Sequence, residues 1–415
     1  MADLRVNFCG VELKNPITTA SGTFGFGHEY GEFFDLSMLG GIGVKGLTPT
    51  ERLGNPAPRI AETPQGILNC VGLQNPGIDR FIKEQIPFLR QYDTKIIANV
   101  SGNTVEEYEG MVEKISDADV DLIEMNISCP NVKCGGMAFG TQPKMVEEVV
   151  SAAKAKAKKP LIVKLSPNVT DIAEIARAAE SAGADALSLI NTLLGMRIDI
   201  EKRRPILSNV MGGLSGPAVF PVAVRMVYQV RRAVSVPILG MGGIRTGRDI
   251  VEMLLAGADA VAMGTVMFND PTAPVKALRE LEEWMDAHGV KTVSELSGAV
   301  EVGGSKKISL KIMTLNNSRQ KINDCLGNPV EIGIAVMWRV VDTAKAVFDV
   351  DNYKEYLSLQ CDSALRNIVR IYPYDVAPNV DTTGDGIADE TLSAGKHQGS
   401  YQIGEFYKLI ESLGK

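Results

Sequence analysis

Up to about residue 268, the chain alternates short apolar runs with longer stretches in which apolar residues recur at helical spacing. The apolar runs predict eight strands, at residues 16–20, 42–45, 95–100, 122–126, 161–165, 186–190, 237–240 and 260–263. Residues 105–116, 143–157 and 171–182 are among the predicted helices. Eight strand-then-helix repeats indicate parallel strands closed into a (β/α)8 TIM barrel. An open doubly wound sheet is the alternative, but no Gly-x-Gly-x-x-Gly follows the first strand.

Polar residues and glycines stand where the predicted strands end. They are Ser21, Gly22, Lys45, Gly46, Asn99, Asn126, Lys164, Asn191, Thr192, Gly242, Gly243, Gly264 and Thr265. Strand-to-loop junctions are commonly polar, but lysine has no particular role in turns. In a barrel these ends converge on one mouth, where active sites lie. The pattern therefore predicts a functional site at the carboxyl ends of the strands.

The composition narrows the class of protein. At 45% hydrophobic and 22% charged residues, the chain can bury a large core, and its 415 residues suggest more than one domain. A net charge of −7 argues against general affinity for nucleic acid. We see no run long enough to span a membrane and no signal-peptide pattern, so we expect a cytoplasmic protein.

Glycines follow the last two predicted barrel strands, as Gly242-Gly243 and Gly264-Thr265. Loops at these two places in barrels commonly bind phosphate through backbone N–H groups, although glycines also serve tight turns. No Gly-x-x-x-x-Gly-Lys-Ser/Thr is present, so flavin mononucleotide (FMN) fits better than a nucleoside triphosphate. Lys164 could then stabilise negative charge on reduced flavin, and Lys45 could contact the cofactor or an anionic substrate.

Six cysteines and three histidines are available for proton transfer or metal binding. The cysteines form no Cys-x-x-Cys pair and no zinc-site pattern, and the histidines lie far apart in sequence. Cys129 follows a strand end and could act as a general base, although most free cysteines serve as small buried hydrophobic residues. Cys70 and Cys134 are rivals, and spacing does not decide among the three.

Five segments together resemble class 1 dihydroorotate dehydrogenases. They are TASGT (19–23), VKGLT (44–48), NCVGLQNPG (69–77), NISCPN (126–131) and GLSGP (213–217). These segments span the predicted barrel in the order expected for the family, over residues 1–302. A related barrel acting on uracil or thymine, which lack the carboxylate, is the alternative enzyme.

The resemblance implies a role for each matching residue. Cys129 would remove the proton from C5 of dihydroorotate while hydride passes from C6 to the flavin N5. FMN would be bound by Ser21, Lys45, Gly46, Asn99, Asn126, Lys164, Ile190, Gly216, Gly242, Gly243, Gly264 and Thr265. The substrate would be bound by Lys45, Asn69, Gly72, Leu73, Asn126, Asn131, Asn191 and Thr192.

The segment VKCGGMAFG (132–140) is similar to that of subclass 1B. Such enzymes pass electrons to NAD⁺ through a separate subunit that carries FAD and a 2Fe–2S cluster. The chain has no cysteine cluster of its own for such a centre. The resemblance therefore implies a partner subunit, with a homodimer of this chain at the core of a heterotetramer.

After a Gly-Gly-Ser linker at 303–305, the pattern changes to a small α+β unit, expected over 303–394 and followed by a helical tail at 395–415. Strands are predicted at 306–314 and 330–341 and a helix at 352–372. Four segments resemble the stomatin/prohibitin/flotillin (SPFH) domain: TLNNSRQK (314–321), GNPVEIG (327–333), WRVVDTA (338–344) and RIYPYD (370–375). A membrane-microdomain scaffold is therefore an alternative function. Residues 381–389 are read as an exposed turn, since Leu392 replaces the glutamate of a calcium loop.

Overall fold

The computed structural model describes residues 2–128, 136–301, 312–339 and 353–371, and the chain divides into two compact units, Met1–Val300 and Glu301–Lys415. In the first unit, eight parallel strands form a closed barrel. They are β1 (Ile17–Thr19), β2 (Gly41–Gly43), β3 (Lys95–Val100), β4 (Leu122–Asn126), β5 (Leu161–Lys164), β6 (Ala186–Leu189), β7 (Ile238–Met241) and β8 (Ala260–Met263). Neighbours follow the chain order and β8 pairs with β1. The predicted barrel is confirmed, and its strand boundaries differ from the predicted ones by two residues at most.

Helices alternate with the strands around the barrel. The longer ones are α1 (Val105–Ser116), α2 (Pro143–Lys156), α3 (Ile172–Ser181), α4 (Phe220–Arg231), α5 (Gly247–Ala256) and α6 (Ala273–His288). Between β2 and β3 the helix is broken into Ile78–Arg80, Phe81–Gln85 and Ile86–Leu89. Single 3-10 turns occupy Tyr30–Glu32, Leu36–Met38, Gly136–Thr141, Pro217–Val219, Thr265–Phe268 and Val293–Glu295.

Local sequence explains where several helices begin. The Thr104 hydroxyl accepts a hydrogen bond from the Glu107 N–H at the start of α1. Thr246 and Asp249 form a reciprocal capping box at the start of α5. Such caps satisfy backbone N–H groups that have no partner inside the helix, and each typically stabilises a helix by about 1 kcal/mol.

An amino-terminal hairpin covers one end of the barrel. Its strands, Val6–Phe8 and Val11–Leu13, pair antiparallel. Phe8 and Leu13 are buried against residues near the start of the barrel strands, among them Leu122 and Ala260. Since this apolar cluster fills the amino-terminal end, the carboxyl ends of the strands are left to form the open mouth.

A four-stranded antiparallel sheet, here called the roof sheet, stands beside this mouth. Its strands lie in the order Leu193–Met196, Met211–Ser215, Gly66–Asn69 and Ile60–Thr63. They belong to the loops after β2 and β6, and the second of these loops also contains a two-residue pairing of Ile198–Asp199 with Arg204–Pro205. The sequence patterns did not predict the roof sheet, because its strands are short and rich in glycine.

The second unit contains an antiparallel hairpin of Met313–Asn323 with Pro329–Trp338, and a helix at Tyr353–Ile371. The Asn317 amide donates to the Asp362 carboxylate of that helix at 2.6 Å. The predicted helix is close to its observed bounds, whereas the first strand begins at 313 and continues to 323, beyond the predicted end at 314.

Residues 381–389 lie outside the described part of the chain. Among the described residues, no helix has the length and apolar character needed to cross a membrane.

Candidate active site

A cavity of about 350 Å³ opens at the carboxyl ends of the barrel strands, within the size range of small-molecule sites. It is lined by ten predicted cofactor residues: Ser21, Lys45, Gly46, Asn126, Lys164, Ile190, Gly242, Gly243, Gly264 and Thr265. Seven predicted substrate residues also line it: Lys45, Asn69, Gly72, Leu73, Asn126, Asn191 and Thr192. The fold therefore brings together residues that are up to 244 positions apart in the sequence, from Ser21 to Thr265.

Four predicted site residues are not part of the described cavity wall. Asn99 is fully buried behind Gly46, since a Cβ built on Gly46 would lie 2.9 Å from Asn99 Oδ1. Gly216 lies behind Gly243, where a Cβ would come within 2.7 Å of the Gly216 carbonyl oxygen. Cys129 and Asn131 lie outside the described residues.

The roof sheet forms one side of the cavity. Asn69 and Gly213 are register partners on adjacent roof strands, and the Asn69 amide donates to the Gly213 carbonyl at 3.3 Å. A Cβ on Gly213 would lie 1.9 Å from the Thr192 hydroxyl oxygen, so only glycine lets Thr192 approach this strand. Asn69 and Thr192 are thereby placed on the same wall.

Side-chain hydrogen bonds orient two asparagines at the cavity. Asn126 Oδ1 accepts from the Ser128 hydroxyl at 2.9 Å and from the Asn191 amide at 3.4 Å. The Asn191 amide also donates to Ser128 Oγ at 2.7 Å, and its Oδ1 accepts from the Thr192 N–H at 2.7 Å. Ser128 is fully buried and links the two amides, a role that the sequence patterns did not predict. Ser128 directly precedes the predicted base, Cys129, in the sequence.

A charged pair lies beneath the cavity. Lys164 at the end of β5 is only 4% exposed, and its Nζ is 3.7 Å from Oε2 of Glu124 on β4. Glu124 is 2% exposed and also accepts hydrogen bonds from Asn99 and Ser188. Glu124 was not among the predicted site residues, although a carboxylate inside the apolar run 122–126 is an available signal, because charged residues are rarely buried without partners.

The glycines after β7 and β8 form a tight backbone surface at the cavity. Gly242 and Gly243 have φ values of +127° and +77°, which residues with a Cβ rarely adopt. A Cβ on Gly264 would lie 3.2 Å from Ala20 Cβ. Next to it, the Thr265 hydroxyl donates to Ser215 Oγ at 2.8 Å. Backbone exposed in this way, without side chains over it, suits the approach of a phosphate group.

The rival cysteine Cys70 does not face the cavity. It is fully buried in a cluster with Ala61, Leu68 and Leu207, and its Sγ lies 3.8 Å from Ser208 Oγ. Its sequence neighbours Asn69 and Val71 line the cavity instead. The geometry therefore argues against Cys70 as the base, while Cys134 lies outside the described residues.

Cys9, at the hairpin end of the barrel, should behave as an inert thiol. Burial, together with the nearby Asp185 and Asp259 carboxylates, raises the pKa of Cys9 to about 12. Because only the thiolate is nucleophilic, we expect iodoacetamide at pH 8 to alkylate Cys9 in the native protein about 10³-fold more slowly than an ordinary cysteine. Mass spectrometry of the Cys9 peptide measures this rate. Equal rates in native and denatured protein would contradict the prediction.

Comparison with known proteins shows which family this barrel resembles. The family model for dihydroorotate dehydrogenase matches residues 3–285. A protein from Alkaliphilus metalliredigens is 61% identical over 298 residues, which are 72% of this chain and 99% of the relative. One from Bacteroides thetaiotaomicron is 55% identical over 303 residues, 73% of this chain and all of the relative. Both are named catalytic subunit of dihydroorotate dehydrogenase B (NAD⁺), which implies a partner subunit for them.

These matches cover about seven-tenths of the chain, and the family model ends at residue 285. They lend no support to the SPFH resemblance of residues 306–392, which stays a prediction. For the barrel, the family model and the relatives agree with each other and with the predicted class of enzyme. The chain therefore belongs to the dihydroorotate dehydrogenase family.

Proposed function

We propose that this chain oxidises dihydroorotate to orotate in pyrimidine biosynthesis, with FMN bound at the mouth of the barrel. Membership in the family implies a flavin. The observation that carries the proposal is the meeting of two lysines with three asparagine amides in one cavity: Lys45, Lys164, Asn69, Asn126 and Asn191. A pyrimidine carboxylate needs a cation for its acid group and amides for its ring.

The residues present fit FMN. Gly242, Gly243 and Gly264 line the cavity with backbone that carries no side chain, which suits the approach of a phosphate, and Thr265 adds a hydroxyl. Asn99 Oδ1, buried directly behind Gly46, accepts no hydrogen bond from a described residue, so an unsatisfied acceptor lies next to the cavity wall. Lys164 would stabilise negative charge on the ring. When bound, FMN supplies the two-electron acceptor for the hydride from C6 of the substrate.

The substrate would be held by polar groups around its whole edge. Lys45 would meet the carboxylate in a charge-assisted contact. Asparagine amides can both donate and accept, as the alternating N–H and C=O groups of a dihydropyrimidine require. The bonds of Ser128 to Asn126 and Asn191 hold these amides in orientation before substrate arrives, which lowers the entropy lost on binding.

Cys129 is the proposed base. It would take the proton from C5 as its thiolate, while the electron pair of that C–H bond forms the new C5–C6 double bond and hydride leaves from C6. Two observations support it: Ser128, which directly precedes Cys129 in the sequence, is buried and bonded to Asn191 at the cavity, and Cys70 is turned into a separate apolar cluster. A thiol is a suitable base for an acidic C–H next to a carbonyl group.

A partner subunit is part of the proposal. The relatives are named as catalytic subunits of an NAD⁺ enzyme. We infer a partner that carries FAD and a 2Fe–2S cluster and delivers the electrons to NAD⁺, around a homodimer of this chain in a cytoplasmic heterotetramer. Co-purification of such an iron–sulfur flavoprotein with the tagged chain, at equal stoichiometry, would be the expected result.

The direct test uses the purified chain under anaerobic conditions. We expect a yellow protein whose flavin absorbance is bleached by dihydroorotate and not by dihydrouracil, because only the former has a carboxylate for Lys45. Bleaching by both compounds would favour an enzyme acting on uracil or thymine. Bound flavin that dihydroorotate does not bleach would contradict the proposed function.

A further inference from the structure

Glu124 is a buried carboxylate with three polar partners. It lies in the middle of β4, between Ile123 and Met125, which are fully buried. Its Oε2 accepts from Asn99 Nδ2 at 2.5 Å and lies 3.7 Å from Lys164 Nζ, and its Oε1 accepts from the Ser188 hydroxyl at 2.7 Å. Burial of a charge is unfavourable unless it is paired, so this arrangement calls for an explanation beyond packing.

The first effect of Glu124 is on the orientation of Asn99. Because Asn99 Nδ2 donates to the carboxylate, Oδ1 must point the other way, towards Gly46 on the cavity wall. That Oδ1 is buried and accepts no hydrogen bond from a described residue. A carboxylate can only accept, so it excludes the flipped amide, which would place oxygen against oxygen. Glu124 thereby makes Asn99 hold an acceptor against Gly46, directly behind the cavity wall.

The second effect is on the charge of Lys164. The Lys164 ammonium is almost completely buried and lines the cavity, and Glu124 is its ion-pair partner. In a poorly solvated site the field of a cation extends to its neighbours with little screening. A carboxylate 3.7 Å away offsets much of that field. The pair therefore presents a smaller positive potential than Lys164 alone would.

We propose that Glu124 is a positioning residue that sets the reduction potential of the flavin, by partly offsetting Lys164 and by fixing the Asn99 amide. The inference rests on the proposed FMN site. Reduced flavin carries more negative charge than oxidised flavin, so the full field of Lys164 would bind the reduced form too tightly. Glu124 moderates this preference, which keeps the reduced cofactor able to pass its electrons on.

The test is Glu124→Gln in the complete chain with its flavin. The glutamine carbonyl can accept from Asn99 and its amide can donate to Ser188, so the change removes the charge and retains both hydrogen bonds. We expect the affinity for reduced FMN, relative to that for oxidised FMN, to rise about tenfold. This change raises the midpoint potential of the two-electron couple by about 30 mV. Spectroelectrochemical titration measures this shift.

Two matched variants separate charge from structure. Glu124→Asp keeps the charge, so its potential should lie nearer to that of the parent protein than that of Glu124→Gln does. Ser188→Ala removes one hydrogen bond from the same carboxylate without changing its charge, and should lower thermal stability but not shift the potential. A Glu124→Gln potential equal to that of the parent, or a Ser188→Ala shift as large as that of Glu124→Gln, would overturn the inference.

If the Glu124→Gln protein fails to fold, the inference can still be tested by measuring the FMN affinity of Glu124→Asp. Glu124→Asp shortens the side chain by one methylene and loosens its hold on Asn99, so its apoprotein should bind FMN about tenfold more weakly than the parent. Equal affinity would then overturn the inference. A parent protein that binds no FMN at all would contradict the proposed function itself, so the two failures are distinguishable.

Discussion

Replacement of Cys129 by serine should leave a folded, yellow protein whose reduction by dihydroorotate is slower by about 10²–10⁴-fold, the usual contribution of a general base. The serine hydroxyl is a much poorer general base than the cysteine thiol, because far less of it is deprotonated near neutral pH. Serine is otherwise close in size, so the cavity and flavin affinity should change little. Stopped-flow absorbance of the bound flavin under anaerobic conditions measures the rate directly.

Cys70→Ala is the matched control for this variant. Cys70 is buried in the cluster with Leu68 and Leu207, so its loss should reduce stability and leave the rate of flavin reduction near that of the parent protein. An unchanged rate in Cys129→Ser would remove Cys129 from the mechanism. A comparable loss of rate in both variants would point to a general disturbance of the site.

Gly243→Ala should weaken FMN binding by about 10–100-fold. Gly243 has φ +77°, and a Cβ there would lie 2.7 Å from the Gly216 carbonyl oxygen and 2.9 Å from the Phe220 backbone nitrogen. Neither contact can be relieved by a side-chain rotation, so the backbone must shift. Strain of this kind costs on the order of 1–3 kcal/mol, which is the source of the expected loss. Fluorescence quenching on titration of the apoprotein with FMN measures the affinity.

Gly110→Ala is the control for this glycine. It lies in α1, is exposed, and a Cβ there has no neighbour within 4 Å. Alanine at this position should stabilise the protein by about 0.5–1 kcal/mol, because glycine is unfavourable inside a helix. FMN affinity should stay unchanged. A Gly243→Ala apoprotein that binds FMN as tightly as Gly110→Ala would show that no tight backbone surface is needed there.

The barrel and its mouth could be predicted because their signals are local. Strands buried on both faces are continuous apolar runs, and helices between them have one apolar face, so each element is visible in its own segment. Parallel strands all end at the same side, which is why the sequence alone predicts that Lys45, Asn126 and Lys164 meet. The boundary of β2 was less predictable, since Lys45 lies two residues past its end.

The roof sheet and the Glu124 cluster depend on distant pairing. Asn69 meets Gly213 across 144 positions of sequence, and neither strand is apolar enough to be recognised alone. Glu124 is a single charge in an apolar run, and its role is visible only from its contacts with Asn99, Lys164 and Ser188 on other barrel strands. Spacing likewise left Cys70 as a rival base, and only its burial beside Ser208 in the folded chain argues against that role.

The amino-acid sequence by itself determined the barrel, the identity of most residues at its mouth, and the family. These features could be predicted because hydrophobic periodicity and the polar residues at strand ends are properties of short, contiguous segments. The tertiary structure alone decided which side of the roof strands faces the cavity, how Ser128 orients two asparagines, and that Lys164 is paired with a buried carboxylate. Those features arise from contacts between strands whose partners are chosen by packing and hydrogen bonding of the whole barrel.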